Sequence, residues 1–232
     1  FAAAENIKTV GIDNPHIADG GATIFNPMQS QIIHSENIDK KDILNLLNSI
    51  PKNTYVNIFS TKDYFLEKSL ENDFTKKYAK FVGKYPKIVN DVKKIVEEEA
   101  IPKINIYAFS ESEIEKIAKS IGRLLNSITL NWSTNPFISP VKVAVIANKK
   151  VSKRTGVEYL AKYLGVPLEN VLGVGDTIHD WDFIEICGYK AAMGNATDEL
   201  KKLINMGDPN HVVGGHVNDD GILDIFKHFK LL

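Results

Sequence analysis

One stretch constrains this chain more than any other: Val171-Leu172-Gly173-Val174-Gly175-Asp176-Thr177-Ile178-His179-Asp180. The apolar run has the character of a buried parallel strand, and Gly175 marks the turn at its carboxyl end. Open α/β sheets bind ligands at that edge. Two carboxylates on a tight loop there, Asp176 and Asp180, make a hard-oxygen site suited to Mg²⁺. The same residues also read as plain structure. Asp180 then caps a helix beginning near Trp181, and Asp176 is a turn residue.

The sequence around this loop alternates helix and strand. Helices are expected over 155–164, 181–187, 197–204 (capped by Thr197) and 221–229, with strands at 171–175, 189–193 and 211–213. This is the doubly wound signature of a parallel α/β sheet. The amino-terminal part starts with a helix over 1–12 that ends near Gly11. A strand-turn-strand follows through Asp19-Gly20-Gly21, then a short strand at 31–33. Between them and residue 147, helices are expected at 40–49, 91–99 and 112–125, the last started by Ser110 or Ser112. Strands are expected at 54–59, 104–109, 128–132 and 141–147. That middle pattern suggests an open sheet covered on one face.

Composition narrows the classes of function. The 232 residues carry 28 basic and 29 acidic side chains, a net charge of -1. There is no electrostatic case for nucleic acid or an anionic membrane surface. No apolar run approaches the ~18 residues of a membrane span. The single cysteine, Cys187, allows no internal disulfide, suits a reducing, cytoplasmic setting, and sits in an apolar segment that reads as packing.

Several motifs occur in one order: Lys153-Arg154-Thr155-Gly156-Val157, Leu164-Gly165-Val166, Gly175-Asp176-Thr177-Ile178-His179-Asp180, Met193-Gly194-Asn195-Ala196 and Asp219-Asp220-Gly221-Ile222. Upstream stands Ile17-Ala18-Asp19-Gly20-Gly21-Ala22. Together they resemble the Cof-type phosphatases of the haloacid dehalogenase-like superfamily. The resemblance implies an α/β fold: a Rossmann-like core, a doubly wound parallel sheet, with an inserted α/β cap of the C2 type. It divides the chain into core segments 1–26 and 147–232 and a cap of 27–146. It implies a Mg²⁺-dependent phosphatase of small phosphorylated metabolites, mostly sugar phosphates, working through an aspartyl-phosphate. Lys153 matches the lysine that neutralises the phosphoryl group. Asp176 matches the principal metal ligand. Asp180 matches the second acidic residue, which supports the metal shell or orients the lysine. His179 and Asn195 are candidate substrate contacts, each with a surface or turn role as its alternative.

The same comparison exposes departures. The family's amino-terminal Asp-x-Asp strand and the Ser/Thr motif after it are expected ahead of Phe1, and neither lies in this sequence. Asp13 and Asp19 sit in the wrong places to replace the nucleophile. His179 stands where relatives carry Asn, Gly20 replaces the Asn of the "NGA" turn, and Arg154 replaces a common Gly. Two other functions are compatible with these residues: an inactive phosphate- or sugar-phosphate-binding protein, and a phosphotransferase or phosphomutase. In the cap, the segment Asn131-Trp132-Ser133-Thr134-Asn135 is a candidate source of selectivity, with Trp132 equally a packing residue. The aromatics between Phe74 and Tyr85 read as packing.

Overall fold

A computed structural model describes residues 2–134 and 136–232. Phe1, the expected helix start, and Asn135, one selectivity candidate, lie outside the described residues. Contacts divide the chain into two compact units, 1–151 and 152–232.

The first unit opens with α1 (Ala2–Val10), followed by β1 (His16–Ala18) and β2 (Thr23–Asn26). These strands pair antiparallel around a tight turn at Asp19 and Gly20, whose φ values are 52° and 69°. β3 (Gln31–Ser35) adds to β2. Asn26 closes the second turn. Its Oδ1 accepts from the amides of Met28 (3.0 Å) and Gln29 (3.3 Å), while its Nδ2 donates to Asp13 at 2.8 Å.

The rest of this unit runs α2 (Lys40–Ser49), β4 (Tyr55–Phe59), β5 (Tyr64–Glu67), α3 (Asp73–Val82), β6 (Lys87–Val89), α4 (Val92–Glu98), β7 (Lys103–Ala108), α5 (Glu111–Ile121), β8 (Ile128–Thr134) and β9 (Lys142–Asn148). The strands form one sheet in the order β6-β5-β4-β7-β9-β8. The register pairs Val56 with Ile106 and Tyr55 with Tyr107, which sorts side chains onto two faces. Val56, Ile58, Ile104 and Ile106 pack with Leu46 of α2, Val96 of α4 and Ile117 of α5.

The opposite face holds Tyr55, Phe59, Tyr64 and Tyr107. It is covered by α3, so the sheet is covered on both faces rather than one. Phe74, Tyr78 and Val82 recur every four residues on α3 and form the stripe that covers it. A capping box between Asn72 and Thr75 starts that helix. Phe74 and Tyr78 are therefore packing residues, as the sequence suggested, whereas Phe81 and Tyr85 are exposed. Ser110 starts α5 by accepting from the amide of Glu113 at 3.3 Å. The helix gives way to a 3₁₀ turn at Gly122, short of the expected 125. Trp132 packs on the aliphatic cluster, while Asn131, Ser133 and Thr134 are exposed.

The second unit contains α6 (Lys153–Leu164), β10 (Leu172–Gly175), α7 (Trp181–Ile184), β11 (Tyr189–Ala192), α8 (Asp198–Leu203), β12 (His211–Val213) and α9 (Gly221–His228). The three strands are parallel, in the order β10-β11-β12. Both sheet faces are buried: Ala192 packs with Ile184, Leu200 and Ile204, and Ala191 with Val212 and Ile225. This explains near-continuous apolar strands in place of alternation. α7 is a single turn preceded by a 3₁₀ turn at Ile178–Asp180, so the expected 181–187 helix is shorter. Asp219-Asp220-Gly221 serves the fold. Asp220 is left-handed (φ 53°), and a Cβ on Gly221 would lie 2.0 Å from the carbonyl oxygen of Gly215. Among the described residues no helix is long and apolar enough to cross a membrane.

Candidate functional site at the carboxyl end of β10

The carboxyl end of β10 and the start of α6 bring Lys153 and Asp180 together. A reciprocal capping box fixes the start of α6. Ser152 Oγ accepts from the amide of Thr155 at 3.2 Å, and Thr155 Oγ1 accepts from the amide of Ser152 at 2.9 Å. Lys153 is thereby the first helical residue, and its ammonium donates to Asp180 Oδ1. Asp180 is buried at 4% exposure, whereas the Lys153 side chain is 53% exposed. The ion pair thus has one sheltered end and one end open to solvent.

The other oxygen of Asp180 closes the loop. Oδ2 accepts from the amides of Asp176 and Thr177, both at 3.0 Å, and from Thr177 Oγ1 at 3.2 Å. Burial pushes the Asp180 carboxyl up. The Lys153 ammonium and the donors from Thr177 and Asp176 outweigh it and hold the group at about 2. Gly175 is required by close approach, because a Cβ there would sit 2.4 Å from Asp180 Cβ. Asp180 is therefore both the loop's internal cap and the anchor of Lys153.

Asp176 is different. Its backbone oxygen accepts from the amide of Thr197 at 2.9 Å, but its carboxylate is exposed. Among the described residues that carboxylate has no hydrogen bond or ion pair. Of the two acidic residues, Asp176 alone is open to a cation. No group of three or more His, Cys, Asp or Glu poised for a metal occurs among the described residues. Mg²⁺ asks for less, since it keeps several waters and is bound through one or two carboxylates plus substrate phosphate. An open hard-oxygen donor at this edge fits that demand.

His179 is exposed on the 3₁₀ turn. Asn195 uses its Oδ1 to accept from the amide of Val217 at 3.0 Å, a bond that ties two loops together. Arg154 is occupied elsewhere: Nε donates to Glu158 at 3.2 Å and Nη1 to Glu185. Asp13 accepts from Asn26 and Gln29, and Asp19 pairs with Lys103. Neither is poised as a nucleophile. Burial raises the Cys187 thiol, whose Sγ donates to the Phe183 carbonyl at 3.2 Å. It is a packing residue.

Thr177 is a member of the site that sequence reasoning passed over. The spacing Thr177-x-x-Asp180 is that of a reciprocal cap, and this signal was present in the sequence.

The sequence profile of the haloacid dehalogenase-like hydrolases matches residues 1–226. The chain belongs to that family. Its similarity to phosphatase YwpJ of Bacillus subtilis is 27% identity over 227 residues, 88% of this chain and 77% of that protein. TM0651 of Thermotoga maritima superposes with a TM-score of 0.79 at 19% identity, covering 97% of this chain and 80% of that one. The subclass IIB sugar phosphatase BT4131 superposes at 0.70 with 18% identity, covering 99% and 80%. The fold of this hydrolase is accordingly the family's Rossmann-like α/β core with an α/β cap, and a protein of Haemophilus influenzae named a putative phosphatase is 27% identical over 237 residues, 95% of this chain and 78% of that protein.

Proposed function

We propose that this hydrolase is a Mg²⁺-dependent phosphatase of small phosphorylated metabolites, sugar phosphates foremost, working through an aspartyl-phosphate. The observation that carries the proposal is the Lys153–Asp180 pair beside the open carboxylate of Asp176. The phosphatase and sugar-phosphatase relatives support the substrate class.

A phosphate monoester dianion repels an attacking carboxylate, so the site must neutralise it. Lys153 supplies a point charge for the phosphoryl oxygens. Asp180 stays ionised at neutral pH and holds that ammonium in one direction, which makes it a positioning residue. Asp176 is the residue that would hold Mg²⁺. The ion, when bound, supplies further neutralisation at the phosphoryl oxygens. The exposed His179 and the Nδ2 of Asn195 are the proposed substrate contacts, with Asn195 Oδ1 retained by Val217.

The attacking carboxylate in this reading belongs to the family's amino-terminal Asp-x-Asp strand. Residues 27–146 form the inserted cap, and 1–26 with 147–232 the core. A cytoplasmic setting suits the lone buried Cys187. A net charge of -1 favours a small-molecule partner over nucleic acid or membrane.

The test is product analysis. The protein from its natural source is given hexose phosphates with Mg²⁺ or with EDTA, with and without an acceptor sugar. Mg²⁺-dependent release of free phosphate, indifferent to the acceptor, is the expected result. Transfer to the acceptor identifies a phosphotransferase, and binding without turnover identifies an inactive binding protein; either overturns the proposal.

A further inference from the structure

A cavity of about 960 Å³ opens within residues 1–151, the size range of pockets for small organic ligands. Among the described residues its wall carries four lysines, Lys8, Lys62, Lys84 and Lys103, and one carboxylate, Asp19. Asp19 is answered by Lys103, and both side chains are largely buried, 18% and 20% exposed. Lys103 also lies 4.4 Å from the centre of the Phe59 ring. Lys84 is held at 2.5 Å by Asp63, which lies outside the lining and also holds Lys87 at 2.7 Å. The exposed ammonium of Lys62 makes no ion pair among the described residues, although the Lys62 carbonyl accepts from Lys84 Nζ at 3.0 Å. Among the described residues the lining thus carries excess positive charge. An ammonium has three protons, so those already paired keep capacity for a further acceptor.

Four aromatic rings also line the cavity, Phe25, Phe59, Tyr78 and Phe81, among polar and aliphatic residues such as Asn26, Gln31 and Val82. Phe81 is 42% exposed and leaves part of its ring open to the cavity. It stacks on Phe137 at 5.2 Å and 24° and keeps its position through that contact. An inorganic anion would use the lysines and leave these rings wet. A neutral ring would cover the aromatics and leave the charge unanswered.

We infer that residues 1–151 hold a binding site for an organic anion that carries a flat apolar ring, with Lys62 and Lys103 meeting the charge and Phe59 and Phe81 the ring. The site uses no residue of 152–232 and does not depend on the phosphatase reading, so the two fail separately.

The test is calorimetric titration of the 232-residue chain with 1-naphthalenesulfonate, which carries no phosphoryl bond to hydrolyse. Sulfate and 1-naphthol serve as half-ligands. One saturable site is expected, at least about tenfold tighter than either half-ligand and weakened about tenfold or more by Lys62→Glu and by Phe81→Ala. Both substituted side chains are exposed, so the fold survives the changes. The reversal Lys202→Glu, outside the cavity, is expected to change nothing. Absence of saturable binding overturns the inference, as does equal binding of sulfate alone. So does unchanged affinity in both cavity variants, or loss of binding in Lys153→Ala, which would put the anion at β10.

Discussion

Replacing Asp180 by Asn tests the logic of the β10 loop. Oδ2 of Asp180 meets three donors and Oδ1 meets the Lys153 ammonium. An amide of the same shape offers one oxygen and one NH₂. With its oxygen toward the three donors, the NH₂ faces the ammonium, and the loop keeps its cap while Lys153 loses its anchor. The carboxyl is displaced from 3.8 to about 2 in the folded protein. At about 1.4 kcal/mol per pH unit, that displacement corresponds to about 2 kcal/mol of stability. The folded value is depressed. The contribution is therefore complete above pH ~4, where the unfolded carboxyl is ionised, and is lost as pH falls toward 2.

The assay is urea unfolding followed by tryptophan fluorescence. A Trp132→Phe background leaves Trp181, which adjoins Asp180, as the only reporter. Asp180→Asn is expected to lose about 2 kcal/mol at pH 7, with the difference from Asp180 shrinking below pH 4. Equal stability at pH 7, or a deficit that does not change with pH, would refute the reasoning.

Gly175→Ala places a methyl 2.4 Å from Asp180 Cβ, against a loop that cannot move without breaking Asp180's bonds; a loss of about 2–3 kcal/mol is expected in thermal unfolding. Lys153→Ala leaves the buried Asp180 carboxylate without its cation, so stability falls by up to about 2 kcal/mol, while phosphatase turnover falls about 10²–10³-fold and the carboxyl titration of Asp180, followed by NMR, moves upward. On the alkaline side, burial pushes Tyr55 up to about 12 even though its hydroxyl bonds to Thr75 at 2.9 Å. The unfolded tyrosine ionises near pH 10, so stability is expected to fall as pH rises from 10 to 12, and absorbance at 295 nm will show Tyr55 titrating late.

The order of elements was legible because its signals are local. Periodicity marked the helices, and the Val171–Gly175 run marked a parallel strand. What escaped depended on partners distant in sequence. Helical spacing at Phe74, Tyr78 and Val82 shows an apolar stripe, but only tertiary contact shows that it covers the second face of the sheet. The short α7 is the exception, since it follows from a local signal, the reciprocal cap of Thr177 and Asp180 that forms a 3₁₀ turn ahead of it.

The site was legible in its members and less so in their roles. Asp180 makes no side-chain cap bond to the helix that begins at Trp181; its Oδ2 closes the loop on the amides of Asp176 and Thr177, and its Oδ1 anchors Lys153, 27 residues away. Asn195 and Arg154 show the limit more clearly. Their residue types suit phosphate contacts, but Val217 takes the oxygen of Asn195, and Glu158 and Glu185 take the guanidinium of Arg154.

The most direct test of the phosphoryl-binding reading needs no turnover. Inorganic phosphate is titrated into the chain with and without Mg²⁺ and followed by ³¹P NMR, for the native sequence and for Lys153→Ala and Asp176→Asn. The account predicts phosphate binding that Mg²⁺ strengthens, loss of binding in Lys153→Ala, and binding without the Mg²⁺ enhancement in Asp176→Asn. Phosphate affinity that is the same in all three proteins would contradict it.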